Sequence, residues 1–123
     1  MFVRFKDIKS ERLIDVRTRR EFIETNLFPI NIPIINGEQY AKIKRFYPCA
    51  LFVIGANLVK DRKRIKLRLL EESNSGAFPI VLACSRGRLR SPLMCIYAKM
   101  LGIDARVLWG GVKGEYKRRG LKI

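Results

Sequence analysis

The feature that most restricts the fold is an unbroken apolar run, Ile80, Val81, Leu82 and Ala83, entered from Pro79 and leaving directly into Cys84, Ser85, Arg86, Gly87, Arg88, Leu89, Arg90 and Ser91. Four apolar residues without polar alternation suit a strand covered on both faces, the kind found in parallel sheets. Ser91 before Pro92 reads as a helix entry, the serine as N-cap and the proline in the first helical position. The loop is therefore held between a strand end and a helix start. Backbone amides and the positive end of the helix dipole favour an anion in its concavity. The same field, reinforced by Arg86, Arg88 and Arg90, favours a thiolate, which makes Cys84 a candidate nucleophile. A lone cysteine at a strand end is more often a small buried hydrophobe. The arginines and the helix entry that follow at once tilt the reading towards chemistry.

The remaining segments supply a frame for this loop. Arg12, Leu13, Ile14 and Asp15 form a short strand, and Thr18 with Glu21 has capping-box spacing for a helix after it. Asp15 has a plain reading as a strand-end residue bonded to nearby backbone. Residues 30–34 alternate as a strand that Pro33 confines to an edge or an end. Asn36, Gly37 and Glu38 make a turn, and residues 38–46 fit a short helix with Tyr40, Ile43 and Phe46 on one side, stopped at Tyr47 and Pro48. Residues 49–59 read as a largely buried helix in which Gly55 suits close packing, a strand being the alternative. Residues 60–68 read as an amphipathic helix, with Lys60, Arg62, Lys63, Arg64, Lys66 and Arg68 outside and Leu58, Ile65 and Leu69 inside.

Residues 73–76 are a loop before the central strand. Leu93, Ile96, Tyr97, Met100 and Leu101 form the apolar stripe expected of a core helix that Gly102 ends. Residues 105–109 are the next strand, and Gly110 with Gly111 turns the chain into a last helix over 113–123 carrying Lys113, Lys117, Arg118 and Arg119. Strands alternating with helices imply an α/β fold with a central, mainly parallel sheet and helices on both faces. Such sheets bind ligands at the C-terminal strand ends, where Cys84, Asp15 and Gly110 fall.

At 123 residues the chain has room for a single domain over residues 1–123. Lysine and arginine number 26 against 11 acidic residues, a net charge of +15. Thermophile-like enrichment would raise glutamate too, so the one-sided balance points to a polyanion, and a nucleic acid above all. The longest apolar run, residues 49–56, is too short for a membrane span, and the N-terminus has no signal-peptide pattern, so a cytoplasmic protein without membrane attachment is expected. Three cysteines offer neither a disulfide framework nor a metal site. Cys49 and Cys95 are expected to pack rather than react. With 0 histidines, no imidazole base is available.

The strand, cysteine, arginine-bearing loop and helix resemble the active-site segment of a rhodanese-homology domain, a sulfurtransferase module that carries a persulfide on its cysteine. Cys84, Arg86, Gly87, Arg90 and Ser91 fit Cys-x-Arg-Gly-x-x-Arg-Ser, one residue longer than most such loops and similar to the rhodanese part of tRNA 2-selenouridine synthase. Asp15, Val16 and Arg17, followed by Glu21 and Phe22, resemble the family's first signature. The run from Leu27 to Pro33 resembles its Gly-Ala-Ile-Asn-Ile-Pro segment, although Asn26 and Leu27 stand where the family has histidine and isoleucine. Asn36 and Glu38, followed by Ala50 or Phe52, Gly55 or Ala56, and Leu58 with Val59, resemble a turn and helix particular to the synthase branch. Gly110, Gly111, Lys113 and Arg118 are the nearest equivalents of its final turn. The resemblance implies a rhodanese-like three-layer fold with Cys84 catalytic, residues Ser85 to Ser91 as the anion-binding loop, and Asp15, Arg17, Gly110 and Gly111 in support. It also implies a tRNA substrate with wobble 2-thiouridine, selenophosphate or a sulfur donor as co-substrate, and no bound cofactor.

No Gly-x-x-x-x-Gly-Lys-Ser/Thr motif occurs, so the nucleotide-binding half of such an enzyme would be a separate P-loop subunit. Three alternatives stand beside chalcogen transfer. Cys84 and Arg90 also satisfy the Cys-x-x-x-x-x-Arg spacing of cysteine phosphatases, although Ala83 replaces their usual histidine and no acid lies in the loop. The chain could also be a generic thiosulfate-type sulfurtransferase, or a non-catalytic basic RNA-binding subunit.

Overall fold

The computed structural model describes residues 2–9, 11–24, 28–35, 50–85, 90–118 and 120. In order these form β1 (Phe2–Val3), a 3-10 turn (Phe5–Asp7), β2 (Arg12–Asp15), α1 (Arg19–Glu24), β3 (Ile30–Asn31), α2 (Ala50–Lys60), α3 (Arg62–Glu72), β4 (Ile80–Ala83), α4 (Arg90–Met100), β5 (Ala105–Leu108) and α5 (Gly111–Arg118). The expected turn at Asn36, Gly37 and Glu38, the helix over 38–46, Cys49, Arg86, Gly87, Arg88, Leu89 and Arg119 lie outside the described residues.

The sheet has five strands in the order β1-β5-β4-β2-β3, and each described pairing is parallel. The apolar run that dominates the sequence is the central strand, and all its residues are buried. Its side chains alternate between two cores. Ile80 and Leu82 join Ile14, Ala105 and Val107 beneath α2, α3 and α4, contributing with Ile54, Ile65, Leu69, Met94, Cys95 and Ala98 to the larger cluster. Val81 and Ala83 face the other way, onto Phe28, Leu108 and Val112, with Phe5, Ile8 and Tyr116 packed around them. Each fully buried aliphatic side chain contributes about 1.5–3 kcal/mol, so β4 is fixed from both faces. This is the three-layer arrangement with helices on both sides of the sheet.

Residues 50–60 form a helix, so the strand alternative for this stretch falls, and Asn57 Nδ2 donates to the Ile34 carbonyl, tying α2 to the exit of β3. Ile30 and Asn31 form an edge strand ending before Pro33. Residues 60–68 are not one helix: Asp61, at φ −97° and ψ 14°, separates α2 from α3. Ile65 and Leu69 are nevertheless buried on the inner side of α3.

The stripe expected on α4 is displaced. Met94, Cys95 and Ala98 are buried, while Ile96 is 53% and Met100 78% exposed. Leu93, Tyr97 and Leu101 lie at the flank of the core. Cys95 and Ala98 are small enough to lie close on the sheet with Met94 buried beside them, so a stripe drawn through the other large side chains misplaces the seam. Gly102, at φ +84°, ends the region in the left-handed conformation that glycine adopts without a Cβ clash. One strand, β1, has no counterpart among the sequence expectations; its Phe2 and Val3 align with Val107 and Leu108. Among the described residues no helix is long and apolar enough to cross a membrane.

Candidate functional site

Cys84 is the first residue beyond β4 and only 3% exposed. Its carbonyl accepts the Val112 N–H at 2.8 Å, and the Ser85 carbonyl accepts the Lys113 N–H at 2.9 Å. Amides in the first turn of a helix have no intrahelical acceptor. Here two of them close the start of α5 onto the start of the cysteine loop. Gly110 and Gly111, at φ +76° and +68°, make the abrupt turn that brings them there.

The other end of the loop is held by side chains. Ser91 does not act as the expected N-cap: α4 already begins at Arg90, and the Ser91 hydroxyl donates to Cys84 Sγ at 2.9 Å. Pro92 is accordingly the third helical residue rather than the first. The serine thus spans the loop, its hydroxyl holding the sulfur at the far end.

Arg90 is 8% exposed. Its Nη1 donates to Glu21 Oε1 at 2.7 Å, and its Nη2 to Glu21 Oε2 at 3.3 Å and to Ser85 Oγ at 3.0 Å. Ser85 Oγ in turn donates to Glu21 Oε2 at 2.9 Å. Burial on its own would raise the Glu21 pKa, but the hydrogen bonds and charge of Arg90, with the Ser85 hydroxyl and the Thr18 amide, outweigh it and hold the carboxyl at about 2. Thr18 and Glu21 also form the expected capping box, Thr18 N–H to Oε1 at 3.2 Å and Glu21 N–H to Thr18 Oγ1 at 3.3 Å. One carboxylate thus starts α1 and anchors the cysteine loop.

Asp15 and Arg17 stand together at the end of β2, 0% and 2% exposed. Arg17 donates to Asp15 through Nε and Nη2, the latter at 2.7 Å, and through its backbone N–H at 2.9 Å. Asp15 therefore has the expected backbone bond and a buried ion pair as well. Asn31 Nδ2 donates to the carbonyls of Asp15 and Arg17 at 3.0 and 2.9 Å, which ties this turn to β3. The structure brings Asp15, Arg17, Cys84, Gly110 and Gly111 to the same end of the parallel sheet.

The basic residues divide between two helices. On α3, Arg62, Lys63, Arg64 and Lys66 are exposed and Arg68 is half-buried, while Lys60 is exposed at the end of α2. Arg64 and Arg68 reach the carbonyls of Pro33 and Asn31 at 3.3 and 3.5 Å, at the exit of β3. On α5, Lys113 is half-buried and Lys117 and Arg118 are exposed, Arg118 pairing with Glu115 at 2.6 Å. Cys95 is buried, its Sγ 3.4 Å from the Ala105 carbonyl. Burial pushes its thiol pKa up, which suits packing rather than reaction. No cluster of three or more metal-ligating side chains occurs among the described residues.

Sequence reasoning missed the loop-anchoring role of Glu21 and the amides of Val112 and Lys113. Backbone partners leave no signature in side-chain identity. Glu21 had one: a buried arginine requires an acid, and acids are scarce in this chain.

No family model matches the sequence and no curated protein does. Two solved structures are similar. The N-terminal domain of a "putative ATP/GTP binding protein" from Clostridium difficile 630 aligns over 99% of this chain and 100% of its own, with a TM-score of 0.81 and 26% identity. A rhodanese-related protein from Thermoplasma volcanium aligns over 98% of this chain and 93% of its own, with a TM-score of 0.57 and 18% identity. The five-stranded parallel sheet with helices on both faces is thus the rhodanese-like fold.

Proposed function

We propose that Cys84 carries a sulfur or selenium atom and that the chain acts as the rhodanese subunit of a tRNA 2-selenouridine synthase. The observation behind this reading is the buried Cys84, with the Ser91 hydroxyl 2.9 Å from its Sγ and its own carbonyl clamped by Val112. A thiolate so held attacks the outer sulfur of a thiosulfate-type donor. A Cys84 S–S bond forms, the donor S–S bond breaks, and sulfite leaves with the electron pair. A donor of zero-valent selenium gives a selenenylsulfide in the same way. The positive end of α4, which starts at Arg90 beside Cys84, favours the resulting terminal anion.

The tRNA partner is supported by the +15 charge and the exposed lysines and arginines of α3 and α5, which suit phosphate contacts. A P-loop partner, whether a separate subunit or a further domain, is supported by the Clostridium difficile neighbour, which is the N-terminal domain of a protein described as a putative ATP/GTP binding protein. Selenophosphate carries selenium at the selenide level, so in this reading it is not the donor to Cys84 but serves the exchange on the RNA, where a C–Se bond replaces the C–S bond of wobble 2-thiouridine and the phosphoryl group passes to water. Phosphatase chemistry is less favoured, because it needs Arg90 on the phosphate, and the terminal nitrogens of Arg90 lie 2.7 and 3.3 Å from the Glu21 carboxylate.

Intact-mass measurement after incubation with thiosulfate tests the carrier role. A gain of one sulfur, absent in Cys84→Ala and removed by cyanide, is expected. The loaded chain should leave thiolated tRNA unmodified until selenophosphate and a P-loop partner are added. Hydrolysis of p-nitrophenyl phosphate that depends on Cys84, with no sulfur taken up, would reverse the reading in favour of phosphatase chemistry.

A further inference from the structure

Trp109 is the chain's 1 tryptophan, and it lies in the open: its side chain is 63% exposed, against 0% for its neighbour Leu108. The ring is nonetheless held. It meets Phe2 edge to face, with centroids 5.5 Å apart and planes at 88°, and the Trp109 backbone N–H, not the indole, donates to the Val3 carbonyl at 2.8 Å. β5 therefore keeps its pairing with β1 out to Trp109. A large aromatic ring left exposed yet braced marks a contact surface.

Its position is set by strand register. Leu82 of β4 aligns with Val107 of β5, and two residues further along each chain stand Cys84 and Trp109. Leu82, Val107 and Cys84 all belong to the larger core cluster. Carried one residue past the ends of β4 and β5, the period of two for strand side chains puts Trp109 on the Cys84 side of the sheet, at the ends of neighbouring strands about 4.8 Å apart. Beyond Trp109 the chain enters the Gly110 turn and α5, with Lys113 and Lys117 one helical turn apart.

We propose that the indole of Trp109, braced by Phe2 beside Cys84, is the platform on which an unstacked nucleobase of a single-stranded RNA segment lies. Proteins read single-stranded RNA by stacking splayed bases on aromatic rings while basic side chains hold the phosphates. The +15 charge favours that occupant over the apolar surface of another protein. The proposal rests on the reading of Cys84 as a chalcogen carrier acting on RNA, and supplies the feature which that reading otherwise lacks: something to present a base to the loop.

Because Trp109 is the one tryptophan, intrinsic fluorescence reports this site alone. Titrating the full chain with a short single-stranded RNA carrying one 2-thiouridine should quench the emission. Replacing that base by an abasic residue should remove most of the quenching and weaken binding about tenfold. W109A should weaken binding by a similar factor while keeping a native circular dichroism spectrum, and W109F, which retains an aromatic face, should keep most of the affinity. Should W109A fail to fold, W109F and the abasic RNA still decide the matter. Quenching that survives loss of the base, full RNA affinity in W109A, or quenching by a nucleotide-binding partner protein but not by RNA would each overturn the platform. Sulfur loading on Cys84, measured on the same preparations, separates the two ideas. Loading without base-dependent quenching rejects the platform alone, and base-dependent quenching without loading rejects the carrier role alone.

Discussion

Removing one member of a buried ion pair leaves the other charge with neither water nor a counter-ion, at a cost of about 3–5 kcal/mol. Glu21 and Arg90 form such a pair, 2.7 Å apart with side chains 13% and 9% exposed. Glu21→Gln keeps the shape and one acceptor but removes the charge, so a loss of about 2–3 kcal/mol near neutral pH is expected in urea unfolding. The pH dependence has a definite sign. The carboxyl titrates at about 2 in the fold against an ordinary 4.5, so its contribution is complete above the ordinary value and is lost as the pH falls through that window. Wild-type stability should therefore fall more steeply than that of E21Q, the two curves converging at the acidic end. Parallel curves would mean that the charge does not hold the loop. Ser91 admits a second test, since its hydroxyl faces Cys84 Sγ at 2.9 Å. That bond holds the sulfur in one place, so Ser91→Ala should slow sulfur loading of Cys84 severalfold while the fold, read by circular dichroism, stays native. An unchanged rate would mean that the hydroxyl does not position the sulfur.

At the scale of elements, the cysteine loop depends on α5 arriving at the right angle. Gly110 sits at φ +76°, and a Cβ there would meet nothing nearer than the Gly114 Cα at 3.7 Å. The cost of Gly110→Ala is thus conformational, about 1–2 kcal/mol, read as a fall in melting temperature of roughly 5 °C. Because the strain falls on the turn that clamps Cys84 and Ser85, sulfur loading should fall by more than the stability loss accounts for. Equal loading would show that the clamp is dispensable. Much of this architecture was legible in the sequence: β4, the Thr18 and Glu21 cap, the edge strand before Pro33, the helix that follows Cys49 and the turn at Gly110 each rest on a local signal. What escaped depends on packing and pairing across the fold. β1 is too short to carry a period and exists because β5 offers an open edge. The seam of α4 is lined by Met94, Cys95 and Ala98, and the small size of Cys95 and Ala98 hides the seam from a reading that weights large apolar residues. The second role of Glu21 follows from Arg90, 69 residues away along the chain.

For the whole molecule the governing quantity is charge, +15 over 123 residues, and what matters is whether its location or only its sum draws the polyanion. Lys63 and Lys66 are exposed on α3, the helix whose arginines reach the C-terminal exit of β3. Lys99 and Arg106 are exposed too, near the end of α4 and midway along β5. Reversing either pair to glutamate changes the net charge equally. If α3 lies against phosphates, the Lys63 and Lys66 reversal should weaken tRNA binding and lower the slope of log affinity against log salt by about 0.9 for each phosphate no longer neutralised. The Lys99 and Arg106 reversal should weaken association through the overall field and leave that slope nearly unchanged. Counterion release is counted per phosphate neutralised at the interface, whereas a distant charge acts only through a field that salt screens within about 8–10 Å. Equal losses of affinity from both pairs, with equal slopes, would mean that α3 is an ordinary solvated face and that RNA approaches the Cys84 end of the sheet along another path.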